Sequence, residues 1–177
     1  MTVFNLETLD SLIEYNKKFA FEQFKEHGEL RPMVVGYTPD NSRRIVVMGS
    51  FADNPQKQAW LTMVSMIFHL HDVDKYVVMH EGWAVMKEDS DPYRYGSLAE
   101  HPDHVEVLNI VAVNRHGAKM SISQIMPDRS LEKEIVGEAA GTFCELLPKN
   151  KLSNVEKENL KKLLERLAGC FQEEELH

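Results

Sequence analysis

The stretch that most restricts the fold of this chain covers residues 105–113, where apolar residues occupy both parities of a predicted strand. One parity holds four valines, and the other holds Leu108, Ile110 and Ala112. Successive strand residues point to opposite faces of a sheet, so this strand is expected to be covered on both faces, near the centre of a sheet. A turn at residues 114–117 and an alternating run over 118–126 predict an antiparallel neighbour.

Further β-rich runs extend the predicted sheet. Met33–Tyr37 and residues 45–48 flank a polar segment with Pro39 and Asn41, which favours a turn and indicates a hairpin. Another strand is predicted from Tyr76 onward. The sheet is therefore expected to contain about five strands.

Helical spacing of apolar residues predicts two helices in the first half of the chain. The first covers residues 6–27, with Asn5 as its N-cap and Gly28 as its C-terminal stop. The second covers residues 56–70 and is apolar around most of its circumference. Such a helix is expected to be covered on several sides.

Two more helices are predicted after residue 127. Ser130 is expected to cap the first, and the spacing of Ser153 and Glu156 fits a reciprocal capping box for the second, which continues to Phe171. The predicted order is α–β–β–α–β–β–β–α–α. We therefore expect an α+β fold with a mixed or largely antiparallel sheet covered by helices. A length of 177 residues fits a single domain over 1–177, with residues 130–177 forming a helical pair packed on it.

Composition and charge narrow the range of partners. Asp and Glu number 28 against 20 Lys and Arg, which gives a net charge of −8 and no dense basic patch along the sequence. Nucleic acid is therefore disfavoured as a partner. No apolar stretch approaches the roughly 20 residues that span a bilayer, and the N-terminus lacks a secretory pattern. Cys144 and Cys170 are expected to be reduced core residues, which favours a cytoplasmic location.

Histidines and carboxylates in the middle of the chain suggest a metal site. His69 and His71 lie at the predicted end of the second helix, and His101 and His104 lie before the central strand. Imidazole and carboxylate groups could bind zinc, manganese or iron, and an open coordination position could activate water. Glu81 is the candidate that would accept a proton from that water.

The spacing of these residues also supports a purely structural interpretation. Two residues apart on a helix, His69 and His71 would project about 200° from each other, so they converge only where the helix ends. His80 and Glu81 point to opposite faces of a strand, and Ala84 stands where a metallopeptidase helix motif would have its second histidine. The histidines could instead serve as caps, turn residues or surface groups.

Aromatic residues near the same strand suggest a small-ligand site. Trp83 could form an apolar wall, and Tyr93 and Arg94 lie in the polar stretch over residues 87–102. A connection this long is a candidate lid or binding loop. The alternatives are a core role for Trp83 and an ordinary surface connection.

Glu81, Trp83 and the segment His101-Pro102-Asp103-His104-Val105-Glu106 together resemble small uncharacterised bacterial and phage proteins. The resemblance covers about the middle third of the chain. It implies no catalytic residue.

The sequence leaves open whether the protein is an enzyme. The interpretation that it favours is a binding or accessory protein that acts through protein–protein contacts, including self-association, or through a small ligand. The alternative is a metal-dependent hydrolase that uses the His and carboxylate residues named above.

Overall fold

The computed structural model describes residues 5–86, 91, 94–166 and 171–176. It confirms an α+β fold and shows seven strands where about five were expected. The strands and α-helices follow one another as α1 (Leu9–His27), β1 (Met33–Tyr37), β2 (Arg43–Met48), α2 (Asn54–Leu70), β3 (Lys75–Val85), β4 (His104–Asn114), β5 (Gly117–Ile125), β6 (Leu131–Glu138), α3 (Asn154–Glu165) and β7 (Phe171–Glu175). Short 3-10 turns cover Leu98–Glu100 and Thr142–Cys144.

All seven strands belong to one sheet, in which every neighbouring pair is antiparallel. Their order across the sheet is β6-β5-β4-β3-β1-β2-β7. The longest pairing joins β3 to β4, from Lys75 opposite Asn114 to Val85 opposite His104. β4 thus lies inside the sheet, as its two-sided apolar pattern predicted.

Helices cover both faces of the sheet. On one face, α1 packs Leu12 and Phe24 against a core that contains Leu108 and Ile110 of β4. On the other face, α2 contributes to a core that contains Val111 of the same strand, together with other residues of the sheet. The two parities of β4 therefore enter two separate cores. Full burial of one such side chain stabilises the fold by roughly 1.5–3 kcal/mol.

The ends of α1 are set by local sequence. Thr8, and not the predicted Asn5, is the N-cap, because its hydroxyl accepts a hydrogen bond from the Ser11 N–H at 3.1 Å. Gly28 ends the helix as predicted, with a left-handed φ of 72° and an N–H that donates to the Phe24 carbonyl at 2.8 Å. A side chain at Gly28 would make this backbone conformation costly, which is why glycine is favoured there.

The prediction of a helical pair over residues 130–177 is wrong. Leu131–Glu138 is strand β6, with Ile135 opposite Ile122 of β5. Ser130 is a turn residue and not a helix cap, since its hydroxyl donates to Asp128 at 2.6 Å and its carbonyl accepts from the Met126 N–H. Helical spacing of apolar residues misled the prediction because β6 is an edge strand with mostly exposed side chains, so burial imposes no strict alternation on it.

The last predicted helix is correct at its start and wrong at its end. Ser153 and Glu156 form the expected capping box of α3. The helix ends at Glu165, and Phe171–Glu175 pairs with β2 as strand β7. Arg43 and Arg44 of β2 form ion pairs with Glu173 and Glu174 of β7. These cross-strand contacts lie about 130 residues apart in the chain, so local periodicity does not reveal them.

Within the described ranges, none of the helices combines the length and the apolar character needed to cross a membrane.

Candidate ligand-binding site

The structure separates the four predicted metal-binding histidines into two pairs. His69 and His71 lie at the C-terminal end of α2, next to the start of β3, whereas His101 and His104 lie at the start of β4, next to the end of β3. Strand β3 spans about 33 Å at roughly 3.3 Å per residue, so the pairs cannot share one ion. Among the described residues, no group of three or more His, Cys, Asp or Glu side chains is arranged to hold a metal ion. A zinc, manganese or iron site built from all four histidines is therefore not assembled.

Three of these histidines form local hydrogen bonds that give them a structural role. The His69 Nδ1 atom lies 2.8 Å from the Ser65 carbonyl one turn earlier in α2. His101 is 2% exposed and its Nδ1 atom accepts the Asp103 N–H at 3.0 Å. His104 directs its Nδ1 atom at the His101 carbonyl. These rings stabilise a helix end and a turn.

Glu81, the predicted proton acceptor, belongs to an ion-pair cluster around Arg129. The Glu81 carboxylate accepts the Leu30 N–H at 2.6 Å and lies 3.2 Å from the Arg129 guanidinium. Arg129 also donates to the Glu106 carboxylate at 2.9 Å and to the Gly28 carbonyl at 2.6 Å. The cluster ties the end of α1 to strands β3 and β4. These contacts give Glu81 a role in stabilising the fold.

The predicted aromatic ligand site lies at the same end of the sheet as His101 and His104. Trp83 is 44% exposed and meets the His104 ring edge-on, with centroids 4.7 Å apart. Tyr95 meets the His101 ring edge-on at 5.0 Å, and the Arg94 guanidinium carbon lies 5.9 Å from the centre of the Tyr95 ring.

Tyr93 and parts of the predicted loop, residues 87–90 and 92–93, lie outside the described residues. The proposed lid therefore stays a prediction. The later part of the stretch is not wholly irregular, because Ser97 and Glu100 form a capping box around a 3-10 turn.

A cavity of about 710 Å³ lies at the opposite end of the sheet, where β1 and β4 end and β2 and β3 begin. We call it the basic cavity. Its walls come from residues 38–40 of the β1–β2 turn, Arg43, residues 71–74, Arg115 and residues 148–151. Of the predicted site residues that the structure describes, only His71 lines it.

Backbone geometry at the end of α2 shapes one wall of the basic cavity. His71 is the C-cap of α2, and Asp72 follows with a left-handed φ of 53°, which aspartate adopts more readily than most residues. The Asp74 N–H donates to the Tyr37 carbonyl at 3.2 Å, which aligns β3 beside β1. The Asp74 carboxylate lies 3.7 Å from the Lys75 Nζ atom.

The opposite wall is held in place by a buried tyrosine and a tight turn. The Tyr76 hydroxyl donates to the Phe143 carbonyl at 2.6 Å and accepts the Leu146 N–H at 3.2 Å. This clamp fixes the segment that leads into residues 148–151. At the β4–β5 turn, the Asn114 side chain accepts two backbone N–H groups, and the turn presents Arg115 to solvent.

All three aspartates in the basic cavity are engaged by neighbouring protein groups, Asp74 by the Lys75 ammonium described above. The Asp40 carboxylate accepts hydrogen bonds from Thr38 and Ser42, which lower its pKa to about 2. The Asp72 carboxylate pairs with Lys157 of α3. Their negative charge is therefore partly compensated before any ligand enters.

The positive charges of the basic side chains in the cavity are less fully compensated by neighbouring groups. Arg43 pairs with Glu173 at 2.7 Å. Arg115, Lys149 and Lys151 have no acidic partner within the part of the chain that the structure describes, and all three are exposed. Three cations without an ion-pair partner in the described chain thus lie around a cavity whose lining carries four basic and three acidic side chains.

His71 lies in the same wall and is largely neutral at pH 7. Burial lowers its pKa below the ordinary value of 6.5, and the nearby cations Arg43 and Lys157 lower it further. Glu173, whose carboxylate lies 3.7 Å from the His71 Nδ1 atom, and Asp72 act in the opposite direction.

Sequence reasoning missed the basic cavity because its cations are far apart in the chain. Arg43, Arg115 and Lys151 come from a strand, a turn and a connector that share no motif. The only available signal was that each of these segments borders a predicted turn or connection.

No protein-family model, no curated protein and no solved structure matches this chain. The resemblance of the middle third to small bacterial and phage proteins stays a prediction.

Proposed function

We propose that this protein is a binding protein that takes a small anionic ligand into the basic cavity. The observation that carries the proposal is the position of Arg115, Lys149 and Lys151 around one cavity without acidic partners in the described chain. A volume of about 710 Å³ also falls within the roughly 300–1,000 Å³ typical of small-molecule sites. The cytoplasmic location stays a prediction from the sequence.

Charge explains why the ligand should be small and anionic. The chain carries a net charge of −8, which repels anions at long range. At physiological ionic strength this repulsion is screened beyond about 8 Å. The binding energy of a small anion inside the cavity therefore depends mainly on the charged side chains that line the cavity. A large polyanion would extend over the acidic surface outside.

The expected affinity is modest and salt-dependent. One exposed charge pair contributes about 0.2–1 kcal/mol, so binding requires several such contacts at once. Phosphate and carboxylate ligands share the required charge. Isothermal titration with inorganic phosphate, adenosine monophosphate and citrate would distinguish them.

Paired variants test whether the cavity is the site. Lys149→Gln with Lys151→Gln should weaken binding of the best probe by about 5–30-fold, from roughly 0.5–1 kcal/mol per cation. The matched control is Lys25→Gln with Arg31→Gln, which removes two exposed cations that border no part of the basic cavity. Both pairs change net charge equally. An equal loss of affinity in both, or no saturable binding of any probe, would refute the proposal.

A further inference from the structure

A carboxylate outside the basic cavity connects two of the residues that line it. One oxygen of Glu173 accepts a hydrogen bond from the Arg43 guanidinium at 2.7 Å, and the other lies 3.7 Å from the His71 Nδ1 atom. Arg43 and His71 line the cavity, and Glu173 does not. We call these three residues the Glu173 bridge. A change in the charge around Arg43 therefore also affects the surroundings of His71.

Backbone hydrogen bonds hold the Glu173 bridge in place. The His71 N–H donates to the Ile67 carbonyl at 3.1 Å, which fixes the histidine at the end of α2. Glu173 of β7 lies opposite Ile45 of β2, and Arg43 begins that strand. Because strand pairing and the helix end set these positions, the bridge does not need a ligand to form.

Opposing influences act on the His71 ring. Burial has the largest effect and lowers its pKa below 6.5, and the cations Arg43 and Lys157 act in the same direction. Glu173 and Asp72 favour the protonated form. The other charged side chains that line the cavity together with His71 are Asp40, Asp74, Arg115, Lys149 and Lys151. Without an anion beside it, the ring is largely neutral at pH 7.

An anion in the basic cavity changes this balance in two ways. Its negative charge favours the protonated form of His71. It also gives Arg43 a second acceptor, which offsets one of the cations that disfavour that form. Glu173 then remains as an ion-pair partner for the protonated ring.

The charge of the lining indicates how many negative charges the ligand carries. Four basic and three acidic side chains leave a balance of one positive charge while His71 is neutral. A dianion therefore needs one more positive charge for full compensation. A proton on His71 supplies it, whereas a monoanion is already compensated without that proton.

We propose that His71 is an additional anion-binding residue of the basic cavity and takes up a proton from solvent when a tetrahedral dianion, such as sulfate or a phosphate monoester, binds. This inference rests on the proposed function, because it concerns the same cavity. Coupling between two binding events is reciprocal, so protonation of His71 tightens anion binding. The additional affinity is present below the raised pKa of His71 and is lost as pH rises through it.

Sulfate is the probe that tests this proton uptake, because it stays a dianion in neutral and mildly acidic solution and exchanges no proton of its own. Isothermal titration near pH 6 in two buffers of different ionisation enthalpy should show uptake of about 0.5 proton per sulfate. The same linkage predicts that affinity rises about tenfold between about pH 7.5 and about pH 5.5.

His71→Gln separates proton uptake from a purely structural role. Near pH 7.5 the variant should bind sulfate within about twofold of the wild type, because the ring is largely neutral there. Near pH 5.5 it should bind about tenfold more weakly than the wild type and take up no proton. His116→Gln is the matched control, since it removes an exposed imidazole next to Arg115 that does not line the cavity, and it should leave the uptake unchanged.

Glu173→Gln tests the bridge itself. It frees Arg43 from its counterion, so sulfate binding near pH 7.5 should tighten by about 2–5-fold. It also removes the ion-pair partner of the protonated His71 ring, so proton uptake near pH 6 should fall. Uptake equal to that of the wild type would contradict the role of Glu173.

Two outcomes for His71→Gln would overturn the proposal: an equal loss of affinity at both pH values, or proton uptake that survives the substitution. The absence of saturable sulfate binding at either pH would overturn it as well. That result is distinct from failure of the proposed function, in which phosphate, adenosine monophosphate and citrate fail to bind too.

Discussion

Replacing Arg129 by Met is expected to lower the free energy of unfolding by about 2–3 kcal/mol. The guanidinium donates to the Gly28 carbonyl at 2.6 and 2.9 Å and to the Glu106 carboxylate at 2.9 Å. It lies 3.2 Å from the Glu81 carboxylate and 4.8 Å from the centre of the Phe24 ring. Methionine keeps an apolar stem and removes every one of these polar contacts.

The magnitude follows from the exposure of each contact. A hydrogen bond from a charged donor contributes about 1.5–3 kcal/mol, and the carbonyl of Gly28 would lose such a donor. The Arg129 side chain is 37% exposed and that of Glu106 is 36% exposed, so their ion pair belongs near the low end of about 0.2–1 kcal/mol. The contact with Phe24 adds about 0.5–1 kcal/mol. These contributions overlap, which keeps the expected total below their sum.

Urea and thermal unfolding would measure the loss, with an expected fall in Tm of about 4–12 °C for a domain of this size. Arg31→Met is the matched control, because Arg31 is exposed and has no ionic partner in the described chain, and it should cost less than about 0.5 kcal/mol. Glu81→Gln combined with Arg129→Met should cost less than the two single variants added together. Equal losses for Arg129→Met and Arg31→Met, or strict additivity with Glu81→Gln, would refute the structural role given to this cluster.

Two further variants test burial. Burial lowers the pKa of His80 below 6.5, so the unfolded chain binds a proton that the folded protein excludes, and stability should decline as pH falls below about 6.5. His80→Gln should make the decline between about pH 7 and pH 5 shallower in urea unfolding, and a steeper decline would contradict this. A Cβ atom at Gly36 would lie 2.7 Å from the Phe68 ring, so Gly36→Ala should cost about 1–3 kcal/mol. Gly137→Ala, whose Cβ would meet nothing within 4 Å, should change the thermal midpoint little, and equal losses for both would contradict the packing around Gly36.

Local sequence identified some of the candidate site residues, but it did not show which of them lie together in the fold. Trp83, Arg94, His101 and His104 were singled out individually, and the structure does bring them to one end of the sheet. It places His71 at the other end, because an intervening extended strand separates residues that are close in sequence. Residue type alone suggested a shared metal site. A metal site made from all four histidines is ruled out because β3 runs from one histidine pair to the other.

Features that depend on residues close together in the chain were predictable from the sequence. The two-sided pattern of β4 placed it inside a sheet, Gly28 ended α1, and the pair Ser153 and Glu156 began α3. Periodicity and capping act within one or two turns, so a single segment contains the whole signal.

The edges of the sheet and the composition of the basic cavity depend on how distant segments of the chain pack together. Leu131–Glu138 and Phe171–Glu175 are strands because β5 and β2 offer them free hydrogen-bonding edges, which no local pattern records. Arg115 and Lys151 likewise border one cavity because the order of the strands brings a turn and a connector to the same end of the sheet. In both cases, strand pairing and charge clustering depend on distances in space, and these distances are set by the order of the strands across the sheet.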